Sequence, residues 1–209
     1  MPSTTDEPPV VHIVDDDQEQ RIGLESLLRS VGLDARTYGS PQDFLKSDGL
    51  DSPGCIVLDI RLPGINGLDF QEGLAGLGIH LPVVLMTGHG DIPMSVRAMK
   101  AGAVDFLPKP FRGQDMIDAV TAAINRDRTR RASEGQAIAV VDRYATLSPR
   151  EREVMALVTA GKMNKQIAGE LGLSEVTVKI HRGAAMRKME ARSLADLVRM
   201  ADTLKNRKG

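Results

Sequence analysis

Two hydrophobic rhythms alternate along the first 125 or so residues. Short apolar runs rich in β-branched residues occupy 10–14, 55–60, 83–87 and 103–109, with a weaker one at 33–38. Between them, amphipathic stretches at about 19–30, 41–46, 67–76, 93–101 and 114–125 carry apolar positions at helical spacing. Strands that are apolar throughout, separated by helices, belong to a parallel sheet covered on both faces. Five such units predict a doubly wound, five-stranded α/β domain over 9–126. Ligands in such folds bind beyond the carboxyl ends of the strands.

The rhythm breaks at 127–145. This polar segment follows Arg126 with Asp127-Arg128-Thr129-Arg130-Arg131, and it reads as a helical extension running into a linker; a disordered linker is the alternative. From 146 to 209 the strand signal is gone and an all-α domain of four helices is predicted. Ser148-Pro149-Arg150-Glu151 combines an N-cap, a proline at the first helical position and a glutamate that closes a capping box. That helix should stop at Gly161. A second runs from Asn164 to before Gly172. Ser174 caps a third that reaches about Met189, and a fourth covers about 193–204. Two short helices joined by a glycine-containing turn make a helix-turn-helix.

Charge sharpens the division. Through Arg128 the chain has 11 basic and 19 acidic residues, and from Thr129 on it has 16 basic and 9 acidic, so an overall charge of -1 hides an acidic half and a basic half. A basic half invites nucleic acid. The single cysteine, Cys55, excludes an intramolecular disulfide framework and fits a reducing compartment. At the head of an apolar run it reads as a buried, inert thiol. No apolar run of 18 residues and no basic-then-apolar leader is present, so neither a membrane span nor a signal peptide is expected, and the cytoplasm is the expected location.

Candidate chemistry gathers at strand ends. Asp15, Asp16 and Asp17 follow the first apolar run, and Asp59, Thr87 and Lys109 end later ones. In a parallel sheet these ends share one edge. Clustered carboxylates repel one another unless a cation is present, and a hard divalent ion with oxygen ligands, best Mg²⁺, resolves the conflict. A cation, a hydroxyl, an ammonium and a nucleophilic carboxylate together suit phosphoryl transfer.

Here the chain resembles the response-regulator receiver family, through Val-Asp-Asp-Asp at 14–17, Leu-Asp-Ile-Arg-Leu-Pro-Gly at 58–64, Met-Thr-Gly-His-Gly at 86–90 and Lys-Pro-Phe at 109–111. The resemblance implies that Asp59 accepts phosphate from a sensor histidine kinase. It implies that Asp16 ligates Mg²⁺ directly and Asp15 through water, with Asp59 and the backbone carbonyl of Arg61 completing the protein ligands. Thr87 and Lys109 match the phosphate-sensing hydroxyl and lysine, and Phe106 the switch aromatic. Lys109-Pro110 matches a bond that is cis in the family, and Asp17 is a spectator.

In the third C-terminal helix Val178, Ala185 and Met189 should face the core, with His181 beside them. The opposite face carries Glu175, Val176, Lys179, Ile180, Arg182, Gly183 and Arg187, and fits a major groove. Thr177 and free backbone N–H groups at its start can hold a phosphate, and Lys165 and Arg182 are also placed for phosphates. Leu-Ser-Pro-Arg-Glu-Arg-Glu, Asn-Lys-Gln-Ile-Ala and Thr-Val-Lys-Ile-His-Arg resemble the LuxR-type helix-turn-helix. Both halves together resemble the NarL/FixJ class, its FixJ-like subgroup best. That implies regulation of promoter DNA, most often by activation through RNA polymerase, and a homodimer on phosphorylation. Two residues depart from the pattern. Gly183 stands where a larger polar residue often reaches a base, and costs about 1 kcal/mol of helix propensity. Ala185 is smaller than the usual aliphatic. Base readout should therefore lean on Lys179, Ile180 and Glu175 or Arg182.

Two other function classes compete. A phosphatase or phosphotransferase using a covalent aspartate fits the acidic cluster, but the residue two past Asp59, where a general acid would stand, is Arg61. A degenerate receiver serving only to dimerise conflicts with the complete set Asp15, Asp16, Asp59, Thr87 and Lys109. Slow Mg²⁺-dependent self-phosphorylation and autodephosphorylation are compatible with a regulator that is not an enzyme.

Overall fold

In a computed structural model, residues 7–88 and 92–206 are described. Their contacts divide the chain after Arg131 into two compact units. His89 and Gly90 of the 86–90 motif lie outside the described residues.

The first unit follows the predicted alternation. Strands β1 (Val10–Val14), β2 (Asp34–Tyr38), β3 (Gly54–Asp59), β6 (Val83–Thr87) and β7 (Asp105–Pro108) form one parallel sheet in the order β2-β1-β3-β6-β7. A small antiparallel hairpin, β4 (Arg61–Leu62) with β5 (Ile65–Asn66), follows β3 and was not predicted. The helices are α1 (Gln18–Ser30), α2 (Pro41–Leu45), α3 (Gly67–Leu74), α4 (Ile92–Lys100) and the first part of α5 (Gly113–Ala145). Successive strand residues face opposite sides. Val11, Ile13, Val57, Val84 and Met86 pack with Leu24 and Leu28 of α1 and with Met116, Ala119, Val120 and Ala123 of α5. Val14, Ile56, Leu58, Val83 and Leu85 pack with Phe44 of α2, Leu68, Phe70 and Leu74 of α3, and Ala98 of α4. The result is a three-layer α/β/α domain. Strand order reverses between β1 and β3, which puts the crevice of a doubly wound sheet at their carboxyl ends.

β1 also buries a histidine. His12 stacks on Tyr38, meets Phe44 edge-on and has Nδ1 3.0 Å from the Tyr38 hydroxyl. Burial, aided by the charge of Arg36, lowers its pKa to about 4. The unfolded chain takes up this proton near pH 6.5, the folded one only near 4. The stability of the neutral form is therefore complete above about pH 6.5 and lost as pH falls through that window, by roughly 3 kcal/mol. Urea unfolding from pH 7 to 4 measures it. A His12→Leu variant should lack this component, and parallel pH profiles for variant and wild type would contradict the assignment.

α5 is a single helix of 33 residues. It continues past 126 because Asp127, 1 % exposed, is tied on three sides. It accepts from the Gly54 N–H at 3.1 Å, from Arg130 at 2.7 Å and from Arg131 at 2.6 Å, while Arg131 also donates to the carbonyls of Asp51 and Ser52. At the far end of α5, Val140 belongs to the core of the second unit.

That second unit is helical: the end of α5, then α6 (Pro149–Thr159), α7 (Asn164–Leu171), α8 (Glu175–Lys188) and α9 (Leu194–Asn206). The box at α6 is formed: Ser148 Oγ accepts from the Glu151 N–H, and Glu151 accepts from the Ser148 N–H at 2.7 Å. Glu151 also takes Lys188 at 2.7 Å, a bond that holds its carboxyl below its usual pKa. Gly172, at φ 65°, makes the left-handed turn between α7 and α8. Val154, Met155, Val158, Ile167, Val178, Ala185, Met189 and Leu197 fill the core.

Candidate functional site

At the carboxyl edge of the sheet the register lines up the chemistry. Val14 of β1 lies opposite Leu58, Asp59 of β3 opposite Met86, and Thr87 of β6 opposite Pro108. Asp15, Asp59, Thr87 and Lys109 thus meet at one edge. The Lys109 ammonium donates to Asp15 Oδ2 at 2.9 Å and to Asp59 Oδ2 at 2.7 Å. Asp59 Oδ1 accepts from the Arg61 N–H at 2.9 Å, and the Arg61 side chain itself is exposed. Burial raises the pKa of Asp15 against the opposing pull of Lys109. Burial alone would lower that of Lys109, but its bonds to Asp59 and Asp15 outweigh burial and raise it. Thr87 is fully buried, Phe106 is half-buried against the α2–α4 side of the core, and the Lys109–Pro110 bond is cis.

Asp15, Asp16 and Asp59 each offer an oxygen, all within 4.8 Å of one another. The donors are hard oxygens, and three carboxylates face one ammonium. That set fits a divalent cation such as Mg²⁺. Asp17 instead caps α1, its Oδ1 accepting from the Glu19 N–H at 2.8 Å and the Gln20 N–H at 3.2 Å. Sequence reasoning missed Gly67. A Cβ there would lie 2.4 Å from the Asp59 carbonyl oxygen, so the start of α3 can approach the aspartate only as glycine.

The second unit sorts its cations. Arg143, Arg150, Lys162, Lys188, Arg199 and Lys205 each face a carboxylate. Among the described residues of this unit, Lys165, Lys179, Arg187 and Arg192 have no side-chain hydrogen bond or ion pair. Three of these four lie on α7 and α8, and Arg192 stands in the turn before α9. Arg192 was not singled out from the sequence, because a lone arginine reveals its lack of a partner only after folding.

On α8 itself Val176 and Ile180 are 67 % and 63 % exposed, an unusual pair of apolar residues beside exposed Glu175, Lys179 and Arg187. Thr177, Arg182 and Gly183 are half-buried. Arg182 is drawn toward Asn164 of α7, 3.4 Å away. At the start of α8 the Thr177 N–H donates to Ser174 Oγ at 3.1 Å, and the two hydroxyl oxygens lie 2.8 Å apart. The helix N-terminus consumes that donor in its own cap.

No helix among the described residues is long and apolar enough to cross a membrane. Two family models match the chain: "Response regulator receiver domain" over residues 11–121 and "Bacterial regulatory proteins, luxR family" over residues 145–201. The chain is 56 % identical to nodulation protein W of Bradyrhizobium diazoefficiens, over 93 % of this chain and 86 % of that protein. It is 45 % identical to the transcriptional regulatory protein FixJ of Azorhizobium caulinodans, over 91 % and 90 %. Among solved structures, response regulator StyR superposes with a TM-score of 0.82 at 45 % identity, covering 94 % of this chain and 99 % of that one. The chain therefore belongs to the FixJ-like response regulators, transcriptional regulators that join a receiver domain to a LuxR-type DNA-binding domain.

Proposed function

We propose that a sensor histidine kinase phosphorylates this regulator at Asp59 and that the phosphoryl group controls its pairing and its grip on promoter DNA. The observation that supports this most is the Lys109 ammonium bridging Asp15 and Asp59 at the edge where Thr87 also ends its strand. Asp59 attacks the phosphorus; the P–N bond of the phosphohistidine breaks as the new P–O bond forms. Lys109 then balances charge on the phosphoryl oxygens. Thr87 donates its hydroxyl to one of them, and Phe106 turns inward with it.

Asp16 would hold Mg²⁺ directly and Asp15 through water, with Asp59 and the Arg61 carbonyl completing the protein ligands. Bound there, Mg²⁺ would supply positive charge against the charge that builds on the phosphoryl oxygens. The same residues allow slow self-phosphorylation from small donors and slow autodephosphorylation. The regulator acts in the cytoplasm, as an activator recruiting RNA polymerase.

α4 presents Ile92, Val96 and Met99, 79 %, 46 % and 49 % exposed, along one stripe. In the phosphorylated state that stripe, with β7, would cover its counterpart on a second copy. Sedimentation of the full chain with Mg²⁺, with and without a small phosphodonor, tests the reading. A dimer should appear only with the donor, and an unchanged monomer at tens of micromolar would refute it.

A further inference from the structure

We propose that Arg187 reads a guanine in the major groove, lying back along α8 over the position that Gly183 leaves bare. This rests on α8 being the recognition helix and names what that helix reads at its second half.

Three observations carry it. The first is the direction of the side chain. A Cβ built at Gly183 would have one neighbour within 4 Å, the Arg187 Nη1 at 3.6 Å. The guanidinium therefore sits one turn toward the helix start from its own Cα, as helical side chains lean. The second is that its donors are unspent. Arg187 is exposed, and among the described residues its side chain has no hydrogen bond or ion pair. The nearby acid, Glu190, is held by Arg143 at 2.6 Å. The third is the stripe. Residues 176, 180, 183 and 187 recur at helical spacing on one face. Val176 and Ile180 are strongly exposed there, the glycine leaves a gap after them, and the guanidinium closes it.

The chemistry then selects the ligand. A planar fork of donors pairs with the O6 and N7 acceptors of guanine, the commonest specific contact in the major groove. Lysine keeps the charge but loses the fork.

The test uses the full chain treated with phosphodonor and a pool of duplexes randomised across the half-site. The wild type should select a fixed G·C pair. Replacing that pair should weaken wild-type binding about 5- to 150-fold. Arg187→Ala and Arg187→Lys should both lose that discrimination while keeping the other positions of the half-site. Gly183→Glu, which sets a carboxylate one turn from the guanidinium, should do the same. Discrimination retained by Arg187→Lys would overturn the proposal. So would an Arg187→Ala variant that binds selected and scrambled duplexes with equal loss, the mark of a phosphate contact. A wild type that selects no sequence would overturn the reading of α8 itself, whereas a wild type that selects sequence regardless of residue 187 overturns only the inference.

Discussion

Asp59→Asn should take up no phosphate. With Mg²⁺ and a radiolabelled small phosphodonor, the wild type should gain an acid-stable, base-labile label, and the variant should fall at least about 100-fold, to background, since an amide lacks the anionic oxygen that attacks. The substitution keeps the size of the side chain, and Lys109 retains its bond to Asp15 at 2.9 Å, so the fold should survive. Matching urea midpoints at pH 7 would confirm that the loss is chemical. Undiminished labelling of the variant would sink the assignment of Asp59. Persistent labelling at reduced stoichiometry would point to a second acceptor.

Lys179→Ala and Lys165→Ala should behave differently on DNA. Lys179 is exposed, without a partner and flanked by Val176 and Ile180, the two apolar residues that α8 leaves in solvent. Its loss should cost about 1–3 kcal/mol on a cognate duplex and less on a scrambled one. Lys165 stands in the first turn of α7 and is equally without a partner. Its loss should weaken both duplexes alike and lower the salt slope by about one unit. Isotherms at two salt concentrations separate the two effects. Equal losses on both duplexes for Lys179→Ala would make it a phosphate contact instead and misplace the reading face.

Where the sequence was legible, one physical rule acted without competition. β1 and β6 begin and end at the predicted residues because an apolar β-branched run in a two-sided sheet has no other place to go. The caps at Ser148 and Ser174 and the turn at Gly172 are local chemistry, readable within four residues. The four strand ends were legible as a set, since parallel topology alone brings them to one edge.

What the sequence left unread lies in contacts that a linear pattern does not display. The hairpin β4–β5 has two residues per strand, too few for any pattern to register. The polar extension of α5 has no apolar stripe of its own near 127–131; it is fixed by Asp127 reaching the N–H of Gly54, 73 positions away in sequence. Asp17 looked idle beside Asp15 and Asp16, yet it caps α1.

The buried thiol of β3 can serve as a clock. Cys55 is fully enclosed, and burial, with the charge of Asp127 beside it, pushes its pKa up to about 12. It is the chain's one cysteine, and the chain has no tryptophan to report unfolding by fluorescence. An aromatic disulfide reagent can reach that sulfur only when the central strand opens. At low reagent the modification rate reads the equilibrium population of the open receiver, and at saturating reagent it reads the opening rate itself. Because the inert thiol stays silent on shorter times, a cysteine placed on the surface could be labelled first, in the native background, without competition from within.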